Sequence, residues 1–233
     1  AFEIAVDPLE GTSYCAEGME GAIAVIAAGP PDALWATSSY YLDKLVVGSG
    51  AKGCIDLDAS NQKNLEKVAE ALGKEVRDLT VVILDKPRHE DLIAEVREAG
   101  AHVVAMPDGD VMGSLRALVP GGGADLSMGV GGSPEGVITA CAARLLGGDM
   151  QARLAPQKDD EKEQLEDDEA DLERVRGLSE LAGSPDCVFV ATAVTGTPML
   201  PAPELTPAGW RVRSLVVTPL HSPLFVESLL PTD

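Results

Sequence analysis

The first stretch of the sequence that could do chemistry is Asp7-Pro8-Leu9-Glu10-Gly11-Thr12, which follows the apolar run Ile4-Ala5-Val6. Pro8 fixes its own φ angle and restricts Asp7, while Gly11 lets the backbone approach a ligand closely. A short helix beginning near Gly11 would point free N–H groups at an anion. Carboxylates for a hard cation and amides for a phosphate therefore lie within one turn of each other, although such residues also form ordinary turns.

Hydrophobic patterning predicts the elements that position this motif. We expect a strand over residues 2–6, a short helix over 11–17 and a strand over 22–28, so that the motif lies between two strands. Further along, Ser60 is a good N-cap for a helix that stops at Gly73. Apolar residues recur on one face of this helix, which indicates a structural role.

Strands and helices alternate regularly between residues 80 and 148. Strands are predicted at 80–84, 103–106 and 126–130, and the helices that follow them at 90–99, 110–118 and 134–146. Consecutive βα units of this kind favour a parallel sheet with right-handed crossovers. Ligands of such sheets collect beyond the carboxyl ends of the strands, so the loops after each strand are the candidate site.

Polar residues are concentrated in those loops. They are Asp85-Lys86-Pro87-Arg88-His89, Pro107-Asp108-Gly109-Asp110 and Gly131-Gly132-Ser133-Pro134-Glu135-Gly136. Lys86 and Arg88 provide the positive charge that an acidic protein needs to hold a phosphate. Glu135 lies in the first turn of a predicted helix, where a carboxylate also serves simply to compensate the helix dipole. Three such loops at one sheet edge favour ligand binding.

Composition limits the class of partner. The 233 residues carry a formal net charge of −20, which argues against nucleic acid or an anionic membrane surface as partner. Hydrophobic residues make up 45% of the chain but aromatic residues only 3%, so an α/β core of aliphatic side chains is expected. The dense acidic block over residues 159–169 is typical of a solvated helix face or loop.

Other motifs exclude several classes of protein. The four cysteines are scattered without metal-ligand spacing, and the sequence shows no signal peptide or long apolar span, so a protein of the reducing cytoplasm is expected. Gly-x-Ser-x-Gly and Walker-type loops are absent from the sequence, which argues against acyl hydrolases and nucleotide-binding proteins. Toward the end, the spacing of Leu165, Leu172, Val175 and Leu178 predicts an amphipathic helix, followed by strands at 187–194 and 212–217.

Several of these stretches, in this order, resemble the class II fructose-1,6-bisphosphatases, a bacterial type of which some members also act on sedoheptulose 1,7-bisphosphate. The resemblance is close over residues 1–153. The stretches that carry it are Ala5–Thr12, Tyr41–Gly53 with its Lys44-Leu45 and Gly50-Ala51-Lys52-Gly53, Asp85–His89, Pro107–Val111 and Gly129–Val137.

The resemblance implies a metal-dependent phosphatase with the layered α/β architecture of the lithium-sensitive sugar phosphatase superfamily, including a parallel βα region. It implies hydrolysis of the 1-phosphate of a sugar bisphosphate with Mg²⁺ or Mn²⁺, in gluconeogenesis or the Calvin cycle. It also implies a homo-oligomer, a dimer or a tetramer, and a cytoplasmic location.

The resemblance further assigns roles to individual residues. The implied metal ligands are Asp7, Glu10 and Glu135, and the implied catalytic residues are Glu10 and Thr12, with Thr12 orienting the attacking water or holding the departing phosphate. The residues implied to bind the substrate are Glu10, Gly11, Thr12, Tyr41, Lys86, Pro87, Arg88, Asp108, Gly109, Asp110 and Gly132.

The sequence also departs from the family pattern. A segment that precedes the first strand in the family, with further acidic metal ligands and a lysine, has no counterpart here, and Ala191-Thr192-Ala193 has Ala where the family has Gly. We accordingly expect the remainder of a metal and phosphate subdomain over 1–79, a parallel βα substrate-binding subdomain over 80–155, and a divergent acidic helix with strands over 156–233.

Two alternatives to a fructose-bisphosphatase remain open from the sequence. One is a phosphatase of the same superfamily that acts on an inositol or nucleoside phosphate. The other is a truncated, non-catalytic module that binds sugar phosphates and pairs with another chain. Tyr41 and the Lys86 loop favour a ketose bisphosphate over the first alternative, whereas the absent segment favours the second.

Overall fold

A computed structural model describes residues 1–168 and 170–231, and its strands form two six-stranded sheets. The strands within the described residues are β1 (Glu3–Glu10), β2 (Ile23–Gly29), β3 (Tyr41–Val47), β4 (Thr80–Leu84), β5 (His102–Met106), β6 (Leu126–Gly132), β7 (Asp149–Leu154), β8 (Arg176–Gly177), β9 (Val188–Ala193), β10 (Glu204–Thr206), β11 (Gly209–Thr218) and β12 (His221–Leu230).

The helices are distributed along the same chain. In the described part they are α1 (Thr12–Ala16), α2 (Asn61–Leu72), α3 (Glu90–Glu98), α4 (Asp110–Leu118), α5 (Ser133–Leu145), α6 (Asp159–Asp167) and α7 (Leu178–Leu181). Short 3₁₀ turns occur at Ser49–Ala51, Val76–Asp78 and Pro87–His89. The helix predicted between Ser60 and Gly73 is confirmed as α2, with the Ser60 side chain accepting a hydrogen bond from the Lys63 N–H.

The first sheet joins the two ends of the described chain. Its strand order is β1-β2-β9-β11-β10, with β12 paired along β11, and each neighbouring pair is antiparallel. β1 is longer than the predicted strand over 2–6, because the backbone continues to pair with β2 as far as Glu10. Asp7 and Glu10 therefore belong to the strand itself, and only Gly11 and Thr12 of the motif follow it.

The second sheet has the order β5-β4-β6-β3-β7-β8. Strands β5, β4 and β6 are parallel, which confirms the prediction from the βα units. β3 and β7 add antiparallel neighbours that the sequence reading did not predict. β3 is buried along most of its length, but the charged residues Asp43 and Lys44 interrupt its apolar pattern. For that reason the sequence pattern did not predict this strand.

Helices separate the two sheets. α4 and α5 pack against strands of both sheets, whereas α2 and α3 pack on the other side of the second sheet, where a separate apolar cluster forms. α5 is buried on nearly all sides, and its small residues Ala140, Cys141, Ala142 and Ala143 let both sheets approach it closely. This packing makes α5 the element that ties the sheets together.

The predicted amphipathic helix near the end of the chain is wrong beyond Asp167. α6 ends there, Arg176 and Gly177 pair with β7 as β8, and Leu178 begins the separate helix α7. The outer edge of β7 has backbone N–H and C=O groups that need partners, and the pairing of Arg176 and Gly177 with Ala152 and Gln151 supplies them. Glu169, part of the predicted acidic block, lies outside the described residues.

Within residues 1–168 and 170–231, none of the helices combines the length and the apolar character needed to cross a membrane. The four cysteines are free thiols, with Cys141 and Cys187 buried and Cys15 and Cys54 half-buried.

Candidate active site

A bulge in β1 shapes the acidic motif. Asp7 lies opposite Val25 and Glu10 opposite Ile23, so the register shifts between the two carboxylates. Such an irregularity re-aims side chains, and the Asp7 carboxylate accepts a hydrogen bond of 3.0 Å from the Leu9 N–H inside it. Gly11 follows with a φ of +80°, a conformation that glycine adopts without strain, and turns the chain into α1.

The predicted site residues converge on one cavity of about 360 Å³ between the two sheets. The loops after β4, β5 and β6 meet β1 there, as expected for the carboxyl ends of parallel strands. The residues that line this cavity are Asp7, Leu9, Glu10, Gly11, Thr12, Leu84, Lys86, Arg88, Asp108, Asp110, Gly131, Gly132 and Glu135.

Three of the predicted residues stand next to the cavity without lining it. The Tyr41 ring lies beneath the Arg88 guanidinium, with 5.4 Å from the guanidinium carbon to the ring centre. Pro87 occupies the 3₁₀ turn between Lys86 and Arg88. Gly109, with a φ of +88°, is the N-cap residue of α4.

Glu10 is the most deeply buried carboxylate of the cavity, with 3% of its surface exposed. Its Oε1 accepts a hydrogen bond of 2.9 Å from the Val111 N–H, whereas its buried Oε2 has no hydrogen-bond partner among the described residues. Burial, followed by the negative charge of Asp110, raises the pKa of Glu10 well above its ordinary value, and the charge of Asp7 acts in the same direction. A cation beside Glu10 would therefore stabilise its ionised form.

Glu135 approaches the same cavity from the first turn of α5. Burial raises the pKa of Glu135, and repulsion from Asp110 and Asp7 adds to the effect. The carboxylate folds back over Gly132, where a Cβ atom would lie only 1.9 Å from Glu135 Oε2. Glycine at position 132 is therefore what leaves room for this side chain.

Asp108 connects the second sheet to α1. Its carboxylate accepts hydrogen bonds from the Ser13 N–H at 2.9 Å and the Gly109 N–H at 3.0 Å, and lies 3.5 Å from the Thr12 hydroxyl. Although burial acts to raise it, the pKa of Asp108 is held below its ordinary value by these backbone hydrogen bonds. Asp108 thus stays ionised and fixes the Gly11-Thr12 turn.

Lys44 is a residue of the site that the sequence reading did not identify. Its Nζ lies 2.7 and 2.8 Å from the two carboxylate oxygens of Asp110, and the lysine is only 2% exposed. The sequence feature that could have identified Lys44 is a single lysine within an otherwise largely apolar strand. A lysine buried in this way requires a partner of opposite charge. Gly131 makes room for this ion pair, since a Cβ there would lie 1.9 Å from Asp110 Oδ2.

With this geometry in place, comparison with known proteins decides the family. A model of the family described as bacterial fructose-1,6-bisphosphatase, glpX-encoded, matches residues 1–223 of the sequence. The chain belongs to this family. The resemblance drawn from the sequence motifs is confirmed.

Relatives within this fructose-1,6-bisphosphatase family are closely similar in sequence. The class 2 fructose-1,6-bisphosphatase of Haemophilus influenzae is 43% identical over 210 residues, which cover 84% of this chain and 63% of the relative. Fructose-1,6-bisphosphatase 1 class 2 of Escherichia coli strain K12 is 42% identical over 208 residues, which cover 84% of this chain and 62% of the relative. The chain thus spans slightly less than two thirds of the length of these relatives.

The carboxylates of this family member fit a hard cation only in part. No group of three or more His, Cys, Asp or Glu side chains in residues 1–168 and 170–231 is close enough to hold one metal ion together. The unpartnered Glu10 Oε2 and the repulsion that Asp110 and Asp7 exert on both Glu10 and Glu135 nevertheless favour a cation beside them. Mg²⁺ is typically bound by one or two carboxylates, with water and substrate phosphate as its other ligands, and these residues suit that mode.

Proposed function

We propose that this chain carries the substrate cavity of a phosphatase that hydrolyses the 1-phosphate of fructose 1,6-bisphosphate to give fructose 6-phosphate and phosphate. Sedoheptulose 1,7-bisphosphate, which has the same chemistry at its reacting end, is proposed as a second substrate. The observation that carries the proposal is one cavity lined both by carboxylates and by two cations, Lys86 and Arg88, that form no ion pair among the described residues. Membership of the fructose-1,6-bisphosphatase family supports it.

The side of the cavity formed by Asp7, Glu10 and Glu135, called the acidic wall from here on, would hold Mg²⁺ or Mn²⁺. When bound, such an ion neutralises phosphate charge and activates a water molecule for attack. Burial and neighbouring carboxylates raise the pKa of Glu10 and of Glu135. A bound cation would relieve this repulsion, which favours metal binding beside these two residues. The catalytic role proposed for Glu10 follows from its unpartnered oxygen.

Thr12 and Gly11 would contact the reacting phosphate. Thr12 is exposed to the cavity, and its hydroxyl is directed by Asp108, which is itself fixed by the Ser13 N–H. Gly11 adopts the φ of +80° that turns its backbone at the cavity, where it would approach the phosphate. The pair would therefore orient the phosphate and the attacking water with little motion at the moment of reaction.

The part of the lining formed by Lys86 and Arg88, called the basic wall, would bind the phosphate that is not cleaved. Neither residue forms an ion pair in the part of the chain that the structure describes, so both charges are available to a ligand. Arg88 donates two hydrogen bonds to the Val130 carbonyl and keeps its remaining N–H groups for phosphate oxygens. Tyr41 supports the guanidinium from below.

The sugar would lie between the two walls. We propose that Pro87, Asp108, Gly109, Asp110 and Gly132 line its path, with carboxylate oxygens accepting hydrogen bonds from sugar hydroxyls. Asp110 is shared in this proposal, because both of its oxygens are also bound by Lys44.

We further propose that the two sheets with helices between them are the layered fold of the lithium-sensitive sugar phosphatase superfamily. The same proposal includes a cytoplasmic protein that assembles as a dimer or tetramer, and subdomains over residues 1–79, 80–155 and 156–233. The sandwich of α4 and α5 between the sheets supports the layered fold.

Phosphate release from fructose 1,6-bisphosphate, measured while Mn²⁺ is added back after chelation, tests the proposal. We expect metal-dependent release from the unaltered chain, none from the Asp7→Asn variant, and full release from the control Asp91→Asn, which alters an exposed carboxylate of α3. Release from an inositol or nucleoside phosphate but not from the ketose bisphosphate would identify a different substrate. No release from folded chain would leave a sugar-phosphate-binding module.

A further inference from the structure

β4 and β6 separate before they reach the cavity. Their parallel pairing consists of Val81 opposite Leu126 and Val82 opposite Ser127, and goes no further. On the other side of β4, the pairing with β5 continues to Leu84. The second sheet therefore splits between β4 and β6 at the end that carries the basic wall.

The register of β4 and β6 shows which backbone hydrogen bond would have come next if the two strands had stayed paired. Bonds from the His102 N–H to the Leu79 carbonyl and from the Asp85 N–H to the Met106 carbonyl show that odd-numbered residues of β4 bond to β5. The even-numbered residues therefore face β6. Because Val82 lies opposite Ser127, a continued parallel ladder would join the Val130 N–H to the Leu84 carbonyl.

The imidazole of His89 stands between the two atoms that this hydrogen bond would have joined. Its Nδ1 lies 2.7 Å from the Leu84 carbonyl oxygen, and its Nε2 lies 2.8 Å from the Val130 nitrogen. A carbonyl only accepts and an N–H only donates, so the ring must be neutral with its proton on Nδ1. The residue is 2% exposed, and burial lowers the pKa of His89, which keeps the ring neutral.

The surrounding residues are adapted to the inserted ring. The Val130 carbonyl accepts hydrogen bonds of 3.2 and 3.0 Å from the Arg88 guanidinium, so consecutive side chains satisfy both polar groups of the Val130 backbone. Gly129 has a φ of +112°, and a Cβ there would lie 2.9 Å from His89 Nε2. The strand thus has a glycine where the ring needs space.

We propose that His89 is a positioning residue that holds the ends of β4 and β6 one ring width apart and so sets the distance between the basic wall and Glu135. β4 leads directly into Lys86 and Arg88, while β6 ends at Gly132 and leads into Glu135. Ligands of α/β sheets bind where neighbouring strands part, and here a side chain fixes how far they part. The inference rests on the proposed function, because it assigns His89 to the spacing of that cavity.

Kinetics of three variants test the spacing. His89→Phe keeps the ring but removes both hydrogen bonds, so we expect KM for fructose 1,6-bisphosphate to rise on the order of 10- to 100-fold. His89→Gln offers an amide that donates at one end and accepts at the other, and we expect KM within about threefold of the unaltered chain. His102→Phe, at an exposed histidine of β5, is the matched control and should leave KM unchanged.

A purely structural role for His89 would lower the unfolding temperature without moving KM. An unchanged KM in folded His89→Phe would therefore overturn the proposal. If that variant does not fold, His89→Asn takes its place, because its side chain is one CH₂ shorter than that of Gln and does not bring the amide to both partners. An unchanged KM in that variant has the same meaning.

Imidazole ¹⁵N chemical shifts of the unaltered chain separate this inference from the proposed function. We expect the neutral Nδ1–H form of His89, and binding of inorganic phosphate that weakens in His89→Phe but not in His102→Phe. If fructose 1,6-bisphosphate is not hydrolysed but both of these results hold, the function fails and the spacer stands. An Nε2–H form, or equal phosphate binding by the two variants, would refute the spacer.

Discussion

The acidic wall and the basic wall of the cavity are held in opposite ways. The carboxylates of the acidic wall are buried or half-buried, and Asp7 repels both glutamates. The bulge in β1 positions Asp7, the Val111 N–H holds Glu10, and the absence of a Cβ at Gly132 leaves room for Glu135. In the basic wall, Lys86 is half-buried and Arg88 exposed, and neither is paired with a carboxylate in the described chain. The crowded carboxylates of the acidic wall therefore oppose folding but hold fixed positions, whereas the basic wall opposes folding little and can adapt to its ligand.

Replacing Glu10 by Gln should give the largest effect and should break the acidic wall. We expect phosphate release to fall on the order of a thousandfold, because the site loses its most buried charge. The same change should raise the stability of the metal-free protein by about 1 kcal/mol, since a desolvated and repelled carboxylate is removed. Phosphate assays and thermal unfolding after chelation measure the two effects.

The control for both expected effects of Glu10→Gln, on phosphate release and on unfolding temperature, is Glu98→Gln at an exposed glutamate of α3. It should change neither quantity. A Glu10→Gln variant that unfolds at a lower temperature than the unaltered chain would contradict the account of the acidic wall as a destabilising feature.

Adding a methyl group at Gly132 should disturb the acidic wall without changing its charge. The backbone there has a φ of −65°, which alanine adopts freely, so the clash with Glu135 Oε2 is the main consequence. We expect Gly132→Ala to lower kcat/KM by about a hundredfold. Kinetic assays measure the effect, and a Gly132→Ala variant with full activity would show that Glu135 needs no fixed position.

Removing a charge from the basic wall should give a smaller and different effect. We expect Lys86→Ala to raise KM about tenfold and to leave kcat nearly unchanged, because the residue would bind a phosphate that does not react. Lys63→Ala, at an exposed lysine of α2, is the matched control. A fall in kcat with an unchanged KM would place Lys86 among the reacting groups and erase the distinction between the walls.

The smallest expected effect is a pH dependence of stability. The pKa of Glu10 in the folded chain is raised above the ordinary value of 4.5, so the folded state binds more protons than the unfolded state between those two values. Stability from this group is therefore lost as pH rises through that window. The stabilisation by Glu10→Gln should be largest at neutral pH and shrink toward pH 4.5, as thermal unfolding of metal-free protein at several pH values would show.

The parts of the site that the sequence predicted are those that depend on local pattern. The βα units determine where β4, β5 and β6 end, and the polar loops after them meet at one edge because parallel strands share a direction. Lys86, Asp108 and Glu135 could therefore be brought together from sequence alone.

The parts that the sequence reading missed depend on distant partners. Lys44 is tolerated inside β3 only because Asp110 neutralises it, and nothing in the neighbouring residues of either reveals the other. β1 extends past Pro8 because β2 continues to pair with it across a bulge. His89 looked like one more polar loop residue, and its function in the sheet is visible only from the register of two strands.

The two sheets differ in how early each can be completed during synthesis of the chain. All strands of the second sheet lie within one stretch, residues 41–177, whereas the first sheet combines residues 3–29 with residues 188–230. Since a growing chain emerges from its N-terminus, the second sheet can form while the first still waits for its later strands. Lys86 and Arg88 would then be in place before Asp7 and Glu10 are locked beside them. On the ribosome, Asp7 and Glu10 can thus be fixed beside Glu135 late, when the framework that carries Glu135 already exists.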